Sequence, residues 1–195
     1  MEVGLKEQKQ QKETKIVEEK ISALKKNELF VDLNDDDLLD IACESTIKKY
    51  KKNQIIYSVG DTADTIILLI SGSVKQFTMV REKETIDKLL CPNDVFGFET
   101  LYGKKRRGET AEVPSKNAIC LLIPIQILKS YRKSHQMVSE ACDRLVGGII
   151  NHLKNQKNDI VIKDARERII IFLKDQAKSS GRQVGLEMLI KHSLT

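Results

Sequence analysis

The residues best equipped for chemistry are few and dispersed. Lys104-Lys105-Arg106-Arg107 forms a conspicuous block of cations, followed closely by Glu109. Four cations in a row suit phosphate groups, whether of an anionic effector or of DNA, and equally suit a solvated loop tip. The histidines are His135, His152 and His192, and none falls between Thr46 and Ile123. A metal-dependent barrel enzyme needs His and carboxylate ligands inside its barrel, so that chemistry is excluded. Cys43, Cys91, Cys120 and Cys142 contain no CxxC pair. They read as buried, reduced thiols rather than a disulfide frame or a metal site. No Gly-rich nucleotide loop, nucleophile elbow or catalytic carboxylate pair appears. The chain therefore reads as a non-enzyme without metal or cofactor.

Those residues are held by a chain of 195 residues, 41% hydrophobic, with a net charge of +5. That length supports one ordinary domain and a small appendage. The mild positive charge is compatible with nucleic acid but does not require it. No apolar run reaches the roughly 18 residues that span a bilayer, and the N-terminus lacks an apolar signal core. No membrane role and a cytoplasmic location are expected.

The organising element is His135–Lys163. Val138, Cys142, Leu145, Ile149, His152 and Gln156 recur in steps of four and three, which places them on one seam of a helix. A second apolar row, Met137, Ala141, Val146, Ile150 and Leu153, lies beside it. A helix apolar over so wide an arc is buried on two sides. One side is expected on its own domain and the seam on the same helix of a second copy, with His152 as an interface polar group. Gly147-Gly148 costs about 1 kcal/mol per residue against Ala and permits close approach or a bend.

Before this helix, residues 1–27 read as a charged arm with a frayed start, then an amphipathic helix on Ile16, Val17, Ile21 and Leu24. Asn34 is placed to cap a short helix whose first turn carries Asp35, Asp36 and Asp37. From Thr46 to Leu122, β-branched runs alternate with turn signals, the pattern of an all-β roll or sandwich. Expected strands are Ile47–Tyr50, Gln54–Tyr57, Thr65–Ile70, Val74–Val80, Thr85–Leu90 and Ala118–Ile123, with a turn at Arg81–Glu84. Pro124 opens a short helix and Ser134 caps the long one. Beyond it, Asn158-Asp159 can disturb the helix, and Asp164-Ala165-Arg166-Glu167 is a capping box for another. Asn158, Asp159 and Asp164 are therefore the expected hinge.

Four local signatures are spaced through this order. They are Ile56-Tyr57-Ser58-Val59-Gly60-Asp61, Ile66 to Val74 with Ser71-Gly72-Ser73, Pro92-Asn93-Asp94-Val95-Phe96-Gly97, and Ala165-Arg166-Glu167-Arg168-Ile169. Together they resemble the CRP/FNR superfamily of bacterial transcription regulators, typified by the cyclic-AMP receptor protein and the fumarate–nitrate reduction regulator. The resemblance covers about residues 28–195. It implies an α+β fold, an antiparallel β-roll (double-stranded β-helix) with a long dimerisation helix and the start of a winged-helix domain. The implied domains are 28–133 for the effector, 134–163 for dimerisation and hinge, and 164–195 for the start of the DNA-binding part. The helix-turn-helix of such regulators follows a Lys-His-x-Leu-Thr-like segment. The chain is thus expected to stop at the threshold of its DNA-reading element.

The resemblance also singles out Asp94–Val113. In the cyclic-AMP-binding members a Gly-Glu pair opens a short helix facing the phosphate, the Glu takes the ribose hydroxyls, and an Arg-Ser pair takes the phosphate charge. Here Gly97 is followed by Phe98, and the Arg-Ser position holds Glu109-Thr110. Phe cannot accept from ribose hydroxyls, and a carboxylate repels phosphate. Arg106 or Arg107 would have to substitute. The implied effector pocket is Gly97, Phe98, Glu99, Thr100, Arg106, Arg107, Glu109 and Thr110, with an effector other than cyclic AMP in its usual mode. Residues 1–42 contain no cysteine, which excludes an N-terminal iron–sulfur sensor. The expected protein is a homodimeric DNA-binding regulator, in which an effector at the roll and long helix controls DNA binding. The alternative is a ligand-binding regulatory module of cyclic-nucleotide-domain type with no DNA role.

Overall fold

The computed structural model describes the backbone over residues 2–162 and, Glu99 and Ile149 apart, side chains over residues 10–151. It contains two compact units, Met1–Ala141 and Cys142–Thr195. The first unit is built around eight strands, β1 (Thr46–Lys51), β2 (Ile55–Tyr57), β3 (Thr65–Ser71), β4 (Val74–Val80), β5 (Lys83–Leu90), β6 (Val95–Phe96), β7 (Thr110–Glu112) and β8 (Asn117–Pro124). They form two 4-stranded antiparallel sheets, ordered β1-β8-β3-β6 and β2-β7-β4-β5. This is the expected β-roll. Between the sheets Tyr50, Tyr57, Ile67, Leu69, Val74, Leu90, Phe96, Ala111, Val113, Ala118 and Cys120 make one buried core. Burial of these alternating apolar residues is the main force holding the roll closed.

Helices precede and follow the strands in the chain. They are α1 (Glu2–Lys25), α2 (Asp35–Glu44), α3 (Ile125–Ser134) and α4 (Gln136–Ile162). Asn34 caps α2 as its sequence predicts, its Oδ1 accepting from the Asp37 N–H at 2.8 Å. In α1 the apolar reading needs adjustment. Ala23, Leu24 and the stem of Lys20 are buried, while Ile16 is exposed. Lys20 Nζ donates to the carbonyls of Ala42 at 2.8 Å and Ser45 at 2.6 Å, at the end of α2.

Three further expectations are corrected. Ser134 does not cap the long helix, because α3 runs through Ser134 and His135 takes the junction, its carbonyl accepting from the Ser139 N–H at 3.2 Å. Asn158 and Asp159 do not break α4, which continues to Ile162. Cys43 is exposed rather than buried, whereas Cys120 and Cys142 are buried. Asp164, the capping box and the winged-helix segment 164–195 lie outside the described residues, as do the side chains of Ile149, His152 and Gln156. Among the described residues no helix is long and apolar enough to cross a membrane.

Candidate functional site

Register brings the inner polar groups together. Gln76 of β4 pairs with Ala111 of β7, and Ala111 pairs with Tyr57 of β2, so three side chains stand abreast on one face. The small Ala111 leaves room for its neighbours to meet. Gln76 Nε2 donates to the Tyr57 hydroxyl at 2.9 Å and to Glu109 Oε1 at 2.7 Å. The Tyr57 hydroxyl in turn donates to the same carboxylate oxygen at 3.3 Å. Glu109 is thus tied down from inside the roll.

Arg107 is fixed from both its backbone and its side chain. The Gly60 N–H donates to its carbonyl, and its own N–H donates to the Asp61 carbonyl, each at 2.9 Å. The side chain turns inward and is only 4% exposed. Nη2 donates to the Thr65 carbonyl at 2.6 Å and to Thr65 Oγ1 at 3.1 Å, and Nη1 donates to the Gly97 carbonyl at 3.2 Å. The guanidinium carbon lies 4.4 Å from the Tyr57 ring centroid, within cation–π range. Gly97 has φ +82°, and a Cβ built there would run into Arg107 Nη1. Its neighbour in the basic run faces the other way. Arg106 is exposed and donates through Nη1 to the Gly60 carbonyl at 2.8 Å.

The sequence-derived pocket residues therefore divide. Gly97, Arg107 and Glu109 converge on the inner polar cluster. Phe98 and Thr100 are buried in the 3-10 turn Phe98–Tyr102, and Thr110 Oγ1 accepts from the Val59 N–H at 3.2 Å. Arg106, with Lys104 and Lys105, lies outside. Two residues with inner contacts, Gln76 and Thr65, were missed by sequence reasoning. Gln76 carried a signal, as a polar residue in step with the inward positions of β4. Thr65 carried none, because its carbonyl does half the work. The inner cluster thus pairs a buried cation bonded to two carbonyls with a carboxylate tethered by Gln76 and Tyr57.

Two concavities lie on the outside. A groove of about 520 Å³ between α2 and α3 is lined by Asp37, Asp40, Glu44, Tyr131 and His135, among others. His135 Nε2 is 3.1 Å from Asp37 Oδ2, and its ring stacks on Tyr131 at 5.1 Å. Burial first, then the charges of Asp37 and Asp40, push the Tyr131 hydroxyl pKa up. Among the described residues no group of three or more His, Cys, Asp or Glu side chains is arranged to hold a metal. A second groove, of about 640 Å³, runs along the other side of α3 and is lined by Lys129, Arg132 and Lys133 with Leu101, Gln126 and Ser139.

Residues 47–135 match the family model of the cyclic nucleotide-binding domain. Over that segment the chain is similar to the cyclic nucleotide-binding domain, and the relatives it resembles include regulators of the CRP/FNR type. The name describes the fold lineage and does not by itself assign a ligand. The chain is 28% identical over 130 residues to the regulatory protein HlyX of Actinobacillus pleuropneumoniae, covering 65% of this chain and 52% of that one. The chain spans about half the length of the curated relatives it matches. The structure of FixK2 from Bradyrhizobium japonicum aligns with a TM-score of 0.63 at 19% identity, over 75% of this chain and 81% of that one. The c-di-GMP responsive global regulator CLP of Xanthomonas campestris aligns at 0.60 and 17% identity, over 70% and 69%.

Proposed function

We propose that the chain is the sensor and dimerisation part of a homodimeric DNA-binding transcription regulator, switched by an effector other than cyclic AMP in its usual mode. The observation that carries this reading is the domain's likeness to CRP/FNR-type regulators together with the helix that follows it. Of the expected seam, Val138 and Cys142 are already buried within the single chain. The surface offered to a second copy therefore starts at Leu145. From there Leu145 and Val146 are half-buried, Ile150 is exposed, and a Cβ at Gly147 or Gly148 would meet nothing. Such a surface suits an isologous two-fold contact of α4 with its copy.

The inner cluster supports the effector part of the reading. By its family resemblance, the phosphate would sit at the start of the short helix after Gly97. Arg107 lies against Gly97, its donors turned to the Gly97 and Thr65 carbonyls, and Phe98 is buried. DNA reading belongs, on this proposal, to a helix-turn-helix beyond residue 195, and the hinge to the region after Ile162, with Asp164 as its cap.

Footprinting on the promoter region of its own gene tests the proposal. The gene product with its helix-turn-helix should protect a near-palindrome whose half-sites are about one helical turn apart. Residues 1–195 alone should dimerise and protect nothing. Specific protection by residues 1–195 alone, or a strictly monomeric chain, would overturn it. In the same preparation cyclic AMP should not raise the melting temperature. A true ligand at a hundredfold excess over its Kd adds about 2.7 kcal/mol, which a thermal scan registers.

A further inference from the structure

A second block of cations stands at one corner of the roll, apart from residues 104–107. The sheet order β1-β8-β3-β6 places β1 at an edge. Tyr50 is buried in the core, so Lys49 and Lys51 on either side of it point outward, roughly 7 Å apart. The chain then turns through Lys52 and Asn53. The Gln54 N–H donates to the Lys51 carbonyl at 3.1 Å, and the Lys51 N–H donates to Gln54 Oε1 at 2.7 Å. The Asn53 N–H donates to the Val113 carbonyl at 2.8 Å, with Asn53 at φ 63°. The Lys52 N–H donates to the Lys116 carbonyl at 3.1 Å, which sets Lys116 beside it. The backbone under these four lysines is therefore fixed, and all four are exposed. Among the described residues none of their ammonium groups has a hydrogen bond, an ion pair or a ring contact. Lys48 lies 5.0 Å over the Tyr50 ring and is not counted with them. Lysines guard an edge strand against unwanted pairing. That accounts for Lys49 and Lys51, but not for Lys52 and Lys116, which lie beyond the strand.

We propose that this corner is a contact for the phosphate backbone of duplex DNA, made by the roll itself and blind to sequence. The inference rests on the reading of the chain as part of a DNA-binding regulator. Four like charges on a fixed backbone repel one another, and a polyanion relieves that repulsion. An ammonium on a flexible stem takes a phosphate as a point charge and makes no demand for the paired geometry of a guanidinium. Each phosphate so neutralised releases counterions, which drives binding. Asn53 next to Lys52, and Asn117 opposite Lys51, are exposed and add neutral donors for phosphate oxygens. Contacts of this kind position a protein on DNA and are too uniform to leave a footprint at one sequence.

Fluorescence anisotropy of the 195-residue chain on a labelled duplex of arbitrary sequence tests it. The chain should bind at low salt and release as salt rises. Lys49→Gln, Lys51→Gln, Lys52→Gln and Lys116→Gln together should weaken binding at least tenfold in about 50 mM salt. They should also make the plot of log affinity against log salt shallower by about three to four, near one phosphate per lysine. A control of equal charge, Lys104→Gln, Lys105→Gln, Lys129→Gln and Lys133→Gln, should change both far less. The proposal falls if the parent does not bind the duplex, or if the first variant binds as the parent does. It falls too if the control loses as much, because net charge alone would then explain the binding. An oligoaspartate peptide, or vesicles of phosphatidylserine and phosphatidylcholine, should displace the duplex less readily than unlabelled duplex does, charge for charge. The reverse would assign the corner to a protein partner or a membrane and overturn the proposal. The assay uses neither the promoter nor the helix-turn-helix, so its failure is distinct from failure of the footprint.

Discussion

Lys20 Nζ donates to the Ser45 carbonyl at 2.6 Å, reaching from α1 to the point where α2 ends and the roll begins. Helix α2 starts with three aspartates and has no basic residue in its last turn. Lys20 supplies the missing charge from outside, bonding the Ala42 carbonyl as well. The ammonium is largely buried, so its hydrogen bonds count more than a surface pair would. Lys20→Met should cost about 2 kcal/mol in urea denaturation, shifting the midpoint with little change in slope. A cost under about 0.5 kcal/mol would mean that water replaces the cap.

Arg107 and Gly97 should behave as a coupled pair. Arg107→Leu leaves the Thr65 and Gly97 carbonyls without their charged donor, and should cost about 3 kcal/mol. Gly97→Ala alone meets both the strain of φ +82° and the Arg107 side chain. Only the second part disappears when Arg107 is gone. In the Arg107→Leu background Gly97→Ala should therefore cost less, by about 1 kcal/mol or more. A strictly additive double-mutant cycle would show that Arg107 does not press on Gly97.

Alkaline pH should unfold the roll from its core. Burial pushes the Cys120 thiol from 9.0 up to about 12. Burial, with a smaller contribution from Cys120, pushes the Tyr50 hydroxyl from 10.0 to about 12. Both groups keep their proton in the fold and lose it when unfolded, so the unfolded chain binds fewer protons above about pH 9. Stability from these groups is complete below the unfolded values and is lost between roughly pH 9 and 12, by on the order of 1 kcal/mol per pH unit per group. Cys120→Ala should flatten that slope in denaturation curves taken from pH 8 to 11. An unchanged slope would locate the alkaline sensitivity elsewhere.

The sequence and the structure agree where residues carry a pattern long enough to read. The β-branched runs marked β1, β3, β4 and β8 to within a residue or two, because each packs a face against the same core. Strands β6 and β7 span two and three residues and escaped notice, since no periodicity exists in so short a run. The turn after β4 is tighter than its sequence suggests. Arg81 and Glu82 alone make it, at φ of 51° and 64°, without the Asn or Gly that usually marks such a hairpin. Lys20 looked like one more solvated charge in a charged arm, because its partners are carbonyls, which sequence does not distinguish. Arg107 was legible as a candidate cation, but its direction was not. Inward or outward depended on the zipper between residues 104–108 and the Gly60 turn.

The glycine pair of α4 separates a dimer from a solitary helix. On a single chain Gly147→Ala and Gly148→Ala place their methyl groups in open space. Each should then stabilise the helix by about 1 kcal/mol, the ordinary gain of Ala over Gly. If two copies of α4 approach closely at this point, the same methyls push the backbones apart. The double variant should therefore have a more stable monomer and a weaker dimer, with the dissociation constant rising at least tenfold in sedimentation equilibrium. Leu145→Glu provides the companion measurement, because burying an unpaired carboxylate at the contact costs several kcal/mol and should give a monomer at all working concentrations. If the glycine variant raises stability and dimerises as before, the copies meet elsewhere on α4. If Leu145→Glu also sediments like the parent, α4 is not the dimer contact, and the exposed Met79, Val80 and Ile86 at the β4–β5 hairpin become the next surface to mutate.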